Sequence, residues 1–150
     1  MISTPALRPG CSADLSAISR LLSGANLPAA DLSSAHDFQS WVLEDGGSIV
    51  GVIGLERFGS DALLRSLAIT PEHRNRGLGR DLVARLEHDA KVYGVRTLVL
   101  LTETAQPFFR CLGYAVTDRS QVSDEVKQSA EFRSLCPVSA ICMIKVLRDG

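Results

Sequence analysis

With 150 residues, 45% of them hydrophobic and 22% charged, the chain has the length and composition of one globular domain and is too short for two. Sixteen Lys and Arg against seventeen Asp and Glu leave a net charge of −1, so no broad positive field invites nucleic acid or an anionic membrane. The apolar runs fall short of the ~20 residues of a bilayer span, and Met1 to Gly10 has no apolar run behind a basic head, so neither a membrane helix nor a secretory signal is expected. Four cysteines (Cys11, Cys111, Cys136, Cys142) without a C-x-x-C pair suggest neither a disulfide framework nor a zinc site; no metal is expected, and the default location is cytoplasmic.

In chain order, Thr4 to Arg8 reads as a first strand stopped by Pro9-Gly10. Ser12 is placed to cap a helix carrying Leu15, Ile18, Leu21 and Leu22 at helical spacing, with Gly24 as its stop. Leu27 to Asp37 is polar and irregular. Phe38 to Glu44 and Ile49 to Phe58 flank Asp45-Gly46-Gly47-Ser48, a hairpin signature, and a turn at Gly59-Ser60-Asp61 leads to a third strand, Ala62 to Ile69. The period then becomes helical, with Leu78, Leu82, Leu86, Ala90 and Tyr93 on one face and Gly94 as terminator. Thr97 to Thr102 reads as a strand buried on both faces, and strand–helix–strand at this spacing implies a parallel crossover. A short helix over Ala105 to Leu112, a strand from Tyr114, a helix over Ser123 to Arg133 and a strand over Ala140 to Leu147 complete the order. The expected fold is α/β, a mixed and mostly antiparallel sheet with one parallel crossover, flanked by helices and spanning residues 1–150 as one domain.

The chemistry concentrates at Pro71 to Arg80, between the third strand and the long helix. Gly77 and Gly79 let the backbone curl and approach a ligand, Arg74, Arg76 and Arg80 crowd the turn, and the helix start presents unpaired N–H groups and a positive dipole end. This combination suits a multiply charged anion such as a pyrophosphate, with arginine forks available for further phosphate oxygens. The spacing fits neither the P-loop nor the Rossmann pattern.

Arg74 to Gly79 (Arg-x-x-Gly-x-Gly), after a strand ending Leu67-Ala68-Ile69-Thr70-Pro71, resembles the acetyl-CoA loop of the GNAT superfamily of N-acetyltransferases. The later run Glu103 to Tyr114, closing on Leu112-Gly113-Tyr114, is similar to the helix that follows in that family. The resemblance implies that the amides of Arg76, Gly77, Leu78 and Gly79 hold the pyrophosphate of acetyl-CoA, with Asn75 in the same turn and Arg74 and Arg80 near further phosphates. It also implies that Leu67, Ala68 and Ile69 offer backbone to the pantetheine and to the thioester carbonyl, and that Glu103 and Phe109 border the sulfur end. Phe108-Phe109 and the strand Leu64 to Leu67 resemble the amino-acid acetyltransferase branch. Ala130 to Ala140 resembles the small enzymes associated with arsenic-resistance operons.

The chain departs from the family pattern at two places. Phe109 stands where many members carry a tyrosine that protonates the departing thiolate; Cys111 and Tyr114 are substitutes, or else packing residues. Leu63 stands where relatives often place a glutamate base, which leaves Glu56 and Glu103 as candidate proton acceptors, or respectively as a solvated side chain and a helix cap. Strict alternation would put Leu63, Arg65, Leu67 and Ile69 on one face. A guanidinium there needs an anion, either the carboxylate of an amino-acid-like acceptor or an internal partner such as Glu56 or Glu103. The excursion from Asp118 to Ser139 is expected to roof the acceptor pocket, with Cys136 facing it or buried and inert. His36, His73 and His88 show no ligand spacing, His73 being expected at the surface beside the loop, and Trp41 reads as core. The expected partner is a small-molecule amine, without nucleic acid or membrane, and a homodimer through exposed sheet edges is possible. The rival functions are an acetyl-CoA-binding regulatory module that has lost turnover and a protein N-acetyltransferase.

Overall fold

The computed structural model describes residues 4–27, 29, 31–32, 38–135 and 139–147. Seven strands form a sheet in the order β1-β2-β3-β4-β5-β7-β6: β1 Ala6–Pro9, β2 Phe38–Asp45, β3 Ser48–Phe58, β4 Asp61–Ile69, β5 Thr97–Thr102, β6 Ala115–Val116 and β7 Ile141–Val146. Every neighbouring pair is antiparallel except β4 and β5. The helices are α1 Leu15–Gly24, α2 Leu78–Val92, α3 Gln106–Cys111 and α4 Asp124–Lys127. The mixed sheet with one parallel pair is the expected architecture.

The β2–β3 turn carries Gly46 at φ 58° and Gly47 at φ 84°. Two successive left-handed residues match the twist of a tight hairpin, which explains why the Gly-Gly pair marks this register. β5 is buried because it lies between β4 and β7. On one face of the sheet, Leu78, Leu82, Leu86 and Ala90 of α2 pack on Trp41, Ile53, Leu55, Leu64, Leu98 and Leu100. On the other, α1 sets Ile18 and Leu22 against Val42, Val52 and Ala68. Val122 and Val126 cover Leu63, Val99 and Cys142 beside it.

Three local expectations are corrected. Ser12 does not cap α1: it begins a 3-10 turn, Ser12–Asp14, and Asp14 accepts the amide of Cys11 at 2.9 Å. Ser123 to Arg133 is not one helix. It breaks into α4 and a π-helical turn over Glu131–Leu135, because its polar segment packs only single apolar residues such as Val126 inward. Alternation along β4 also fails. Gly54 pairs with Arg65 but Val52 pairs with Ala68, so β4 carries an extra residue, and Ser66 takes φ 64°. The bulge puts Leu67 and Ile69 with Leu64 on the α2 face, while Leu63 and Ala68 belong to the opposite face.

Asp14 is held by Arg8 at 2.9 and 3.1 Å, and Arg8 also reaches Glu44 at 2.8 Å, which ties the 3-10 turn to β1 and β2. The hydrogen bonds from Arg8, then that from Cys11, hold the Asp14 carboxyl well below its ordinary range despite burial. A depressed carboxyl stabilises the fold fully above the ordinary aspartate value of about 4 and loses that contribution as pH falls through its lowered value. The melting-temperature gap between wild type and Asp14→Asn is therefore expected to be constant above about pH 5 and to narrow toward pH 2.

Candidate active site

β4 and β5 pair only at Asp61–Thr97, Ala62–Leu98 and Leu63–Val99. Beyond that the strands part, since the bulge bends β4 while β5 stays paired with β7 through Thr102–Ile141. A cleft of about 800 Å³ opens between them, lined by β4 from Leu64 to Ile69, by β5 and its extension from Leu100 to Ala105, and by Arg74, Phe109 and Glu131. The open edge of β4 thus faces the cleft without a strand against it.

At the mouth of the cleft the chain passes through a 3-10 turn, Pro71–His73, into the start of α2. Asn75 at φ 65° and Gly77 at φ 77° are both left-handed, a sequence that turns successive amides toward one point and forms an anion nest. Among the described residues, no backbone or side-chain acceptor takes the amides of Arg76, Gly77, Leu78 or Gly79. Gly77 is required for its conformation. Gly79 is not, since a Cβ there would make ordinary contact with Phe108 and Ile69 at 3.4 and 3.6 Å. The fold alone gives no reason for glycine at 79, and a ligand pressed against the backbone would.

The loop is pinned from behind. His73 Nδ1 lies 2.9 Å from Thr70 Oγ1 and His73 Nε2 3.0 Å from Asp45 Oδ2 in the β2–β3 turn, so His73 is half-buried and bonded rather than the surface residue expected. Arg74 Nε donates to the Ile69 carbonyl at 3.0 Å and Arg76 Nη2 to the Glu72 carbonyl at 3.2 Å, while Arg80 is exposed on the first turn of α2.

Leu67, Ala68, Ile69, Phe109 and Glu103 all line the cleft. Phe109 is 5% exposed and stacks edge-on between Phe108 and Tyr114 at centroid distances of 5.0 and 5.4 Å. Glu103 is exposed and accepts from Ser139 Oγ at 3.2 Å; it does not cap α3, where Thr102 Oγ1 accepts the Ala105 amide. Tyr114 is buried and donates to Glu87 at 2.8 Å; burial first, then that carboxylate, pushes the pKa of its hydroxyl far above the ordinary value, so it holds its proton more tightly. That removes it as an acid for the cleft.

Arg65 resolves in favour of the internal partner. Its fully buried guanidinium reaches Asp31 at 2.6 and 2.8 Å and Glu56 at 2.7 Å, with Nε 3.6 Å from Glu131. A direct clamp on an acceptor carboxylate loses its basis, because three carboxylates of the chain already surround the group. Glu56 is correspondingly buried at 2% exposure, not solvated, and is absent from the cleft lining. Burial would raise the Asp31 carboxyl, but the hydrogen bonds and charge of Arg65 outweigh it and hold it below its ordinary value. Cys136 and His36 lie outside the described residues. Sequence reasoning missed Asp31, Glu131 and Asp45. Asp31 and Glu131 are acids of irregular stretches and Asp45 closes β2 beside the turn, and only tertiary contact gives each its meaning.

Among the described residues, unspent amides thus stand at the mouth of a cleft between parted strands, a geometry suited to an anion. Residues 36–116, more than half of the chain, match the family described as acetyltransferase (GNAT) domain. The chain belongs to that family. Over 75 residues it is 36% identical to the amino-acid acetyltransferase of Aeromonas salmonicida, a match covering 49% of this chain but only 17% of that protein's length. Over 146 residues it is 28% identical to an uncharacterized N-acetyltransferase of Chlorobaculum tepidum, covering 90% of this chain and 92% of the relative. Its fold superposes on N-acetylglutamate synthase from Neisseria gonorrhoeae complexed with coenzyme A and N-acetyl-glutamate, with a TM-score of 0.80 at 18% identity over 99% of this chain and 36% of that one. It also superposes on Rv2747 from Mycobacterium tuberculosis in complex with CoA, with a TM-score of 0.78 at 24% identity over 96% of this chain and all of the other.

Loss of the pin behind the loop has a measurable cost. His73→Ala removes two half-buried hydrogen bonds, and a loss of about 1–2 kcal/mol in urea unfolding is expected, together with faster hydrogen exchange confined to residues 70–79.

Proposed function

We propose that residues 1–150 act as one acetyltransferase domain that moves an acetyl group from acetyl-CoA to the primary amine of a small, amino-acid-like acceptor, by direct attack with both molecules bound. The observation that carries this reading is the set of unspent amides from Arg76 to Gly79 at the mouth of the cleft. Such a nest suits a diphosphate, and Arg74, Arg76 and Arg80 stand close enough in the chain to serve further phosphate oxygens. The open edge of β4 from Leu67 to Ile69 would take the pantetheine in place of a missing strand and direct an amide at the carbonyl where charge develops. Small-molecule acceptors are supported by the names of the amino-acid acetyltransferase relatives. The likeness of Ala130 to Ala140 to arsenic-resistance-associated enzymes adds amino-acid antimetabolites to the acceptors worth testing first. A cytoplasmic site of action goes with this proposal. No helix among the described residues is long and apolar enough to cross a membrane, and no group of metal-ligating side chains occurs among them.

Each residue has a definite task. An ammonium has no lone pair, so the acceptor must lose a proton before it attacks. We assign that step to Glu103, directly or through water; its exposure on the cleft wall supports the assignment. Glu56 reaches the cleft only through Arg65. Phe109 excludes water from the sulfur end and supplies no proton. With a thiol pKa near 8.5, coenzyme A can depart as thiolate and be protonated by solvent.

The absence of an acid at Phe109 and of a base at Leu63 also suits a module that binds acetyl-CoA without turnover. Release of free thiol from acetyl-CoA, with pooled amino acids and amino-acid antimetabolites as acceptors, decides between the two: acceptor-dependent release supports the enzyme, and tight coenzyme binding with no release from any amine supports the module. Gly79→Trp places an indole among Phe108, Ile69 and the nest and is expected to abolish retention on immobilised coenzyme A while the circular dichroism spectrum persists. Unchanged retention would count against the loop. Glu103→Gln is expected to lower kcat by about 100-fold, and an unchanged kcat would clear Glu103 of the role.

A further inference from the structure

Among the described residues, the face of the sheet opposite α2 is covered in two halves that share no apolar residue. One half is α1 and the segment after it, with Ile18, Leu22 and Leu32 on Val42, Val52 and Ala68. The other is the excursion after β6, with Val122, Val126 and Phe132 on Leu63, Val99 and Cys142. On β4 the boundary runs between Leu63 and Ala68, and Arg65 stands on it with no exposed side-chain surface. Its guanidinium reaches into both halves: Asp31 of the first at 2.6 and 2.8 Å, and Glu131 of the second at 3.6 Å. Glu56 of β3 at 2.7 Å and Ser66 Oγ at 3.1 Å hold it to the sheet.

We propose that Arg65 is a positioning residue, the pin that joins the two half-covers into one wall at the inner end of the cleft. Leu27 and Ala29 of the first half, Glu131 of the second, and Arg65 itself all line that wall. Each half brings a carboxylate to the seam. Without the cation between them Asp31 and Glu131 repel, so loss of Arg65 opens the seam rather than leaving it neutral. The planar fork matters, since one ammonium cannot offer separate donors to Asp31, Glu56 and Ser66 at these angles. Arg65 therefore governs the acceptor by shaping its wall, not by touching its carboxylate. The seam is a property of the fold; only its kinetic consequence rests on the proposal that the cleft receives the acceptor.

The test is hydrogen exchange by mass spectrometry on the full chain, with kinetics beside it. Arg65→Ala strands three buried carboxylates and risks not folding, so the arms are cut one at a time. Glu131→Gln is expected to speed exchange over residues 122–133 about tenfold with residues 15–27 unchanged. Asp31→Asn is expected to do the reverse, and both variants should keep wild-type coenzyme A affinity. For the amine that releases most thiol in the acceptor screen, Glu131→Gln should raise KM about fivefold at near-constant kcat, equally for that amine and its decarboxylated analogue. Unchanged exchange in both segments, or a uniform rise that includes β2 and β3, overturns the pin. A KM effect confined to carboxylated acceptors restores the direct clamp. If no amine releases thiol the proposed function fails, and the exchange arms still decide the pin.

Discussion

An α-helix cannot satisfy its own first amides, and a protein usually answers with a capping side chain. At the start of α2 this chain supplies no cap: Gly77 stands there in a left-handed turn, and Asn75 repeats that hand two residues earlier. A capping oxygen would satisfy one or two of these donors and spoil the site for an anion. Leaving all four unspent costs stability, and the structure limits that cost by keeping the loop at the surface in contact with water. The bonds that do form lie behind the loop, where Asp45, His73 and Thr70 fix its position without consuming the donors. The remaining features of the site depend on that arrangement.

The sheet supplies the second half of the design. One extra residue at Ser66 bends β4 away from β5, and the same residue changes which side chains face α2. A single irregularity therefore opens the cleft, exposes the edge of β4 along it, and places Leu67 and Ile69 against the α2 core, while Arg65, which precedes it, keeps to the opposite face, that of Leu63. That opposite face is where the two half-covers meet. The open edge of β4 and the placing of Leu67 and Ile69 thus both follow from the same bulge, and one short stretch, Leu64 to Gly79, holds most of the features on which the proposed function rests.

How much of this was legible in the sequence follows from how local each feature is. The Gly46-Gly47 hairpin, the α2 stripe from Leu78 to Ala90, the buried run of β5 and the loop from Arg74 to Arg80 each rest on neighbours in the chain and stand where the pattern put them, whereas Tyr93, expected on the α2 stripe, lies past the helix end and is exposed. The β4 bulge leaves almost no trace, because Ser66 is an ordinary residue in an unusual conformation, and strict alternation carried past it assigned Leu67 and Ile69 the wrong partners. The fate of Arg65 was half legible. A cation in an apolar strand demanded an anion, and Glu56 was among those named, but Asp31 and Glu131 come from irregular segments 34 residues before and 66 after, which no periodicity connects to it. The segment after Ser123 misled for a related reason: its polar residues favour helix locally, but too few apolar ones face the sheet to hold a long one.

The central claim is that the amides of residues 76–79 are kept unspent in order to hold a diphosphate. It is tested most directly by following their backbone nitrogen–proton resonances as ligand is added. Coenzyme A should shift all four amide protons downfield at saturation, while pantetheine, which lacks the diphosphate, should leave them in place. Binding of coenzyme A with those four resonances unmoved would contradict the account.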